Sequence, residues 1–369
     1  VSGSTGLWDC KVCGEEGNND GFLRALHKLA AETTSDADLA ELAVDRGIVY
    51  GESLRAWGVV KSPVTGEWLV PGWGVDGKLN QLYKYVLDTK SKKRRLYASP
   101  GLGQYMGGVN LYEPKKPDVI LCEGVWDGIA LWESLRSAKS VDGALHMTGA
   151  ESSSLLASVN VLTVPGCQSF PEGWGQLLHG KRVTLMYDSD HPRQVNGKTI
   201  EPAGWLGMKK VAGTIAVSEW NPETVSWLAW GPDGFDPHHE SGTDVRDLLR
   251  SGGAESMKDR IENLAGLIKR VEPIPDSWVA GKDKKAAKGK LEIAAIPCDN
   301  WKTVVNALRR CMQSSANLEG ALAFCLAVNA STNSVGDQLW GQLLSPPSTG
   351  KSTLAEAMSI NTRHIVAKS

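Results

Sequence analysis

From Asp118 to about Ile268 the chain alternates short apolar runs with helical ones, and this alternation limits the available folds more than any other feature. "VILC" precedes "DGIALWESL", "VNVLTV" precedes "GWGQLLHG", "RVTLMY" precedes "AGWLGMKKVAGTI", and "VSWLAW" closes the series. Short β-branched runs separated by helices are strands joined by crossovers, which makes them parallel. The expectation over residues 118–270 is an α/β layer with a central, mostly parallel sheet flanked by helices. In such sheets ligands gather at the carboxyl ends of the strands.

Two of those ends carry acids. Glu123 and Gly124 follow "VILC", and Asp127 stands three residues on, where a helix begins. "RVTLMYDSD" ends on Asp188 and Asp190, which leave the strand pointing to the same side. A later cluster, "GTDVRDLL", contributes Asp244 and Asp247. If the strands are neighbours, Glu123, Asp188 and Asp190 converge on one edge. Each pair would then repel by ~4 kcal/mol at about 4 Å and an effective dielectric near about 20. Such a cluster calls for cations, and all-oxygen ligation selects Mg²⁺ or Mn²⁺, the ions of phosphoryl chemistry. Taken singly, each motif keeps a second reading: Asp127 is also placed to cap "GIALWESL", and Asp-x-Asp is common on surfaces.

A length of 369 residues implies two or three domains. With 40 basic and 42 acidic residues the net charge of -2 neither requires nor excludes nucleic acid, since a groove needs only a local patch. No apolar run approaches the roughly 18 to 20 residues of a bilayer span and no leader signal is present, so the expectation is a cytoplasmic protein with no membrane partner. Seven unevenly spaced cysteines fit reduced thiols.

The first segment, residues 1–31, contains Cys10-x-x-Cys13-Gly14, half of a tetrahedral zinc site. It is read either as a zinc ribbon whose other pair lies upstream of Val1 or as a turn with two incidental thiols; the knuckle glycine and following helix favour the ribbon. His27, in "FLRALHKLA", is assigned to packing or surface. Residues 32–117 form a basic α+β region: two short helices over 32–59, the first capped by Ser35 or Asp36, then a hairpin around "VDGK". Lys84, Lys90, Lys92, Lys93, Arg94 and Arg95 crowd together there beside Tyr83, Tyr85 and Tyr97. A solvated basic face and a single-strand or nucleotide track both fit, and the interleaved aromatics favour the track.

Residues 271–297, with prolines and a lysine-rich stretch, read as an exposed linker. In the last segment, 298–369, the strand "LWGQLL" leads into a loop ending Gly350-Lys351-Ser352-Thr353 and then a helix. That is the context of a phosphate-binding loop, with Ser345 in place of its first glycine. The chain starts at Val1 and stops soon after this loop, and is read as part of a longer polypeptide.

A Glu-Gly-x-x-Asp at one strand end followed by an Asp-x-Asp at a later one resembles the TOPRIM domain of primases, topoisomerases and certain nucleases. With a partial zinc knuckle and a basic hairpin region ahead of these motifs, residues 5 to 268 resemble the DnaG-like TOPRIM DNA primases, and especially bacteriophage primase-helicases. The resemblance implies that Glu123, Asp188 and Asp190 hold Mg²⁺ or Mn²⁺, with Asp127 and Asp244 as further acids of the catalytic set. It implies that Lys84, Lys93 and Arg94 or Arg95 face nucleotide phosphates, that Arg46 contacts template or caps a helix, and that Cys10 and Cys13 hold half of a Zn²⁺ site. The P-loop residues Gly350, Lys351, Ser352 and Thr353 resemble the opening of a RecA-like or AAA-type helicase, which would bind ATP and assemble as a hexamer. The helicase motor is expected to be incomplete in this chain. One departure stands out: "HPRQVNGKTIEP" is inserted between Asp190 and Ala203-Gly204.

The activity implied is synthesis of short RNA primers from nucleoside triphosphates on single-stranded DNA, by two-metal nucleotidyl transfer, as the primase half of a primase-helicase. The alternatives are a TOPRIM nuclease and a non-catalytic adaptor that loads DNA onto a helicase. A topoisomerase would need a nucleophilic tyrosine in a separate domain, for which no context is present.

Overall fold

Ser35 begins the helix Asp36–Arg46, because its hydroxyl accepts the amide of Asp38 while the Asp38 carboxylate accepts the amide of Ser35. The computed structural model describes residues 8–9, 16–17, 19–88, 94–99, 102–195, 198–217, 220, 222–231, 236, 242–253 and 255–279. All of these belong to one compact unit, Val1–Ala287. Cys10, Cys13, Lys93, most of the 271–297 segment and the whole P-loop region with Gly350, Lys351, Ser352 and Thr353 lie outside the described residues.

At the N-terminus β1 (Trp8–Asp9) and β2 (Glu16–Gly17) pair antiparallel on either side of the Cys-x-x-Cys segment. Helices α1 (Asn19–Thr33), α2 (Asp36–Arg46) and α3 (Gly51–Ala56) follow. An antiparallel sheet comes next, ordered β3 (Val60–Lys61), β4 (Trp68–Trp73), β5 (Leu79–Leu87) and β6 (Arg94–Tyr97). The β4–β5 hairpin turns at "VDGK", as the alternating pattern predicts. Leu23 and Ala30 of α1 join Val60, Leu69, Leu79 and Leu82 in one apolar cluster. His27 has a packing role, its Nε2 lying 2.8 Å from the Gly58 carbonyl oxygen.

The second sheet is the mixed α/β layer. Its elements in chain order are β7 (Asp118–Glu123), α4 (Val125–Ser137), the hairpin β8 (Ala138–Val141) and β9 (Ala144–Met147), β10 (Val159–Val164) and β11 (Arg182–Met186). The hairpin β12 (Arg193–Val195) and β13 (Lys198–Ile200), α5 (Ala203–Val217), β14 (Thr224–Leu228), α6 (Val245–Leu249), α7 (Met257–Ile268) and β15 (Val271–Pro273) complete it. The strand order is β10-β7-β11-β14-β15, with the first four parallel and β15 antiparallel at the edge. Strand β7 is covered on both faces. Val119 and Leu121 point into the cluster with α5, and Ile120 and Cys122 into the one with α4, α6 and α7, which accounts for its unbroken apolar run.

Two segments differ from their sequence reading. "GWGQLLHG" forms a 3-10 helix, Glu172–Leu178, rather than an α-helix, with Gly175 pressed so near Trp220 that a Cβ there would lie 2.4 Å from the ring. Residues 271–278, read as the start of an exposed linker, belong to the sheet unit. Pro273 sits on an edge strand, where a missing N–H is tolerated, and Trp278 packs within 5.0 Å of both Trp205 and Trp227, centroid to centroid. Among the described residues no helix is long and apolar enough to cross a membrane.

Helix α4 approaches β10 at Gly128. A Cβ there would lie 2.1 Å from Thr163 Cγ2 and 3.0 Å from the Trp57 ring. Gly128→Ala is therefore expected to destabilise the protein by about 3 kcal/mol in urea unfolding. Adding Thr163→Ser, which deletes the clashing methyl, is expected to restore part of the loss; no recovery would mean that the close approach is not the cause.

Candidate active site

Glu123 is the last residue of β7, between β10 and β11, and the β7–β11 register aligns Cys122 with Met186. Asp188 therefore emerges beside Glu123, two residues past the end of β11. Gly124 lets the chain turn at once into α4, with φ +96 and ψ 138, a conformation open to glycine and to almost nothing else. The helix consequently starts at Val125, and Asp127 lies inside its first turn. No side chain caps α4, so Asp127 is not the cap that one sequence reading offered.

Ser189 pins the second acidic motif. It exchanges two backbone hydrogen bonds with Thr243, of 2.8 and 3.0 Å, and its hydroxyl accepts the Asp236 amide at 2.6 Å. This bridge carries Asp244, the N-cap of α6, to the same sheet edge. Asp190 accepts the Gly204 amide at 3.1 Å, which ties the start of α5 to the motif. Gly204 is required there, because a Cβ would lie 2.3 Å from the Asp188 carbonyl oxygen. The inserted hairpin β12–β13 thus leaves from Asp190 and returns to it.

The electrostatics record how close these groups are. Burial, then the charges of Asp127, Glu123, Asp244 and Asp190, push the Asp188 carboxyl well above the usual carboxylate range. Burial pushes Glu123 up to about 7, the Asp190 charge adding to it, while the Asp188 amide and the Cys167 thiol pull the other way. Asp127 is also raised to about 7, by burial and then by Asp244, with Arg246 opposing. Glu123 Oε2 and Asp188 Oδ1 are buried and have no hydrogen-bond partner. Unpartnered carboxylate oxygens beside like charges fit a divalent cation by donor chemistry. Among the described residues, however, no three His, Cys, Asp or Glu side chains are gathered as a ready-made metal cage.

A stability effect follows with a definite sign. Raised carboxyl pKa values mean that the folded chain holds these protons more tightly than the unfolded one. The site's contribution is therefore intact below about pH 4 and is lost as pH rises to about 7. In chelator, the thermal midpoint is expected to fall across that window. Mn²⁺ is expected to raise it at about pH 7.5 and not at about pH 5, where Glu123 and Asp188 hold their protons. A midpoint indifferent to Mn²⁺ at both values would remove the case for a cation here.

Arg246, which the sequence reading passed over, occupies the other side of the cluster. Its Nε donates to Asp127 Oδ1 at 3.1 Å, its amide to the same oxygen at 3.3 Å, and its Nη2 to Asp244 Oδ2 at 2.5 Å. Burial opposes its charge, but Asp127 and Asp244 outweigh that and hold its pKa above the ordinary arginine value. Its position two residues after a capping aspartate shows in the sequence; its contact with Asp127, 119 positions away, does not.

The proposed nucleotide-binding residues differ in exposure. Lys84 is exposed on β5 and pairs with Glu67 at 3.5 Å; Arg95 is exposed on β6, 3.8 Å from Asp88. Arg94 aligns with Leu87 in the same sheet. Of the three interleaved tyrosines only Tyr97 is exposed. The pleat of β5 turns Tyr83 and Tyr85 into the core, which removes them as stacking platforms. Arg46 is partly buried, its Nη1 donating to the Tyr85 hydroxyl at 2.9 Å and its guanidinium lying over Tyr85 and Trp126.

No protein-family model and no curated protein matches the chain. Three solved structures to which it is similar are primases. The zinc-binding and RNA polymerase domains of Aquifex aeolicus primase share 16% identity over 78% of this chain and 79% of that one, with a TM-score of 0.42. The E. coli primase catalytic core shares 12% over 95% and 100%, with a TM-score of 0.43. The primase fragment of the bacteriophage T7 primase-helicase shares 13% over 61% and 72%, with a TM-score of 0.37. Among the solved structures to which this chain is similar are thus catalytic cores of DnaG-type primases and the fragment of a phage primase-helicase.

Proposed function

We propose that this chain is a TOPRIM-type DNA primase that makes short RNA primers on single-stranded DNA, acting as the primase part of a primase-helicase. The observation that carries it is Asp188, a half-buried carboxylate whose Oδ1 is closed off without a hydrogen-bond donor among the charges of Asp127, Glu123, Asp244 and Asp190, at the carboxyl edge of a parallel sheet. The order of motifs along the chain supports the same conclusion.

In this function Glu123, Asp188 and Asp190 would hold Mg²⁺ or Mn²⁺. A cation held there would supply acidification of the attacking 3′-hydroxyl and charge withdrawal from the α-phosphate. The chain's residues have separate tasks. Asp190 holds the start of α5 in place, and Arg246 keeps Asp127 and Asp244 together. Lys84, Lys93, Arg94 and Arg95 would neutralise triphosphate and template phosphates. A zinc ribbon at Cys10 and Cys13 would read the template, and ATP at Gly350, Lys351, Ser352 and Thr353 would drive the helicase part, in a hexameric assembly.

The test supplies single-stranded template, labelled ribonucleoside triphosphates and Mg²⁺ or Mn²⁺. Short labelled oligonucleotides are expected. Folded protein that yields none with either ion would overturn the proposal, and accumulation of nicked DNA would assign the same acids to a nuclease.

A further inference from the structure

The acids at the sheet edge are not equivalent. Asp127 and Asp244 share the Arg246 guanidinium, whereas Glu123 and Asp188 each keep a buried oxygen with no donor. Arg246 is also held from a third direction, its Nη1 donating to the Arg46 carbonyl oxygen at 3.4 Å. Arg46 in turn is bonded to Tyr85 and lies over the Trp126 ring, so the guanidinium is positioned from the antiparallel sheet as well as from α4 and α6.

We propose that Arg246 is a built-in cation that reserves Asp127 and Asp244 for itself, leaving the nucleotide-free protein with one divalent-cation site, on the Glu123, Asp188 and Asp190 side. The second ion of nucleotidyl transfer then enters only with the nucleoside triphosphate. That last statement rests on the primase function; the division of the acids does not.

The physical case is one of competition. A guanidinium keeps its proton at any pH the fold survives, so it cannot vacate the site by neutralisation. An ion landing on Asp127 and Asp244 would have to displace a forked donor whose side chain is 18% exposed and which is bonded to both acids. Mg²⁺ and Mn²⁺ need oxygen positions free of donors, and Glu123 Oε2 and Asp188 Oδ1 are two of them, whereas Asp127 Oδ1 and Asp244 Oδ2 are taken by Arg246. Asp190 follows Asp188 by two residues and adds charge to that side. Arg246 acts here as a positioning residue, fixing which carboxylates face a metal.

The experiment is titration of the full chain with Mn²⁺ by calorimetry, without nucleotide and then with a non-hydrolysable triphosphate, Lys351→Ala being present throughout so that the P-loop segment takes up no triphosphate. Wild type is expected to bind one equivalent without nucleotide and two with it. Arg246→Gln is expected to bind two without nucleotide, and Arg246→Lys, which keeps the charge, one. Two equivalents in nucleotide-free wild type, or one in folded Arg246→Gln, would overturn the proposal. If Arg246→Gln does not fold, Asp127→Asn decides. A single equivalent with a Kd within about threefold of wild type supports the division, and loss of binding or a Kd more than about tenfold weaker overturns it. Wild type that makes no primers but shows these stoichiometries would remove the primase function and leave this assignment standing; primers with the wrong stoichiometry would do the reverse.

Discussion

Asp188→Asn is expected to reduce primer synthesis by about 10³-fold or more, equivalent to about 4 kcal/mol of transition-state stabilisation, while raising the thermal midpoint of the metal-free protein. The two effects have one cause. Asp188 is half-buried, its Oδ1 closed off from solvent, among the charges of Asp127, Glu123, Asp244 and Asp190, so its negative charge opposes folding in the absence of a cation. Asparagine has nearly the same shape and no charge. Relief of that repulsion would raise the midpoint. A residue kept only for structure would behave in the opposite way, with activity retained and stability lowered. Retention of primer synthesis within tenfold of wild type would remove Asp188 from the catalytic set. A lowered midpoint in chelator would show that repulsion is not the dominant force on Asp188.

Glu133→Ala is expected to cost about 3–5 kcal/mol of stability, the range for breaking one side of a buried ion pair. Glu133 is 1% exposed and accepts four hydrogen bonds: from the amides of Val49 and Tyr50 at 2.8 and 3.2 Å, from the Ser53 hydroxyl at 3.0 Å, and from Arg260 Nη1 at 3.2 Å. One carboxylate therefore joins the segment before α3 to α4 and α7. Burial raises its pKa against the pull of these donors and lowers that of Arg260, so each ion depends on the other. Alanine would leave the Arg260 charge and two amides without a partner. Urea unfolding measures the loss, and Glu133→Ala with Arg260→Met should recover part of it by removing the stranded charge. A loss below about 1 kcal/mol would show that water replaces the carboxylate and that this junction is soft.

The strand-end acids were legible because each stands where an apolar run stops. Glu123, Asp188 and Asp190 follow runs that could only be buried strands, and parallel strands deliver their carboxyl ends to one edge. The roles of Asp127 and Asp244 were not legible. Whether an aspartate at a helix start caps, binds metal or pairs with arginine depends on what faces it. Here the partner is Arg246, brought in by the Ser189–Thr243 bridge. The three tyrosines of the basic hairpin show the same limit on a smaller scale. Their spacing fitted a stacking track, but the pleat sends Tyr83 and Tyr85 to the face opposite Lys84, where the core covers them.

By itself the sequence determined the α/β layer, the β4–β5 hairpin and the strand-end acids, because apolar periodicity and turn chemistry act between residues close along the chain. Only the tertiary structure decided that Arg246 pairs with Asp127 and Asp244, that Glu133 and Arg260 lock α4 to its neighbours, and that residues 271–278 close the sheet edge. Each of those depends on charges or rings brought together from positions far apart, and burial then sets their strength.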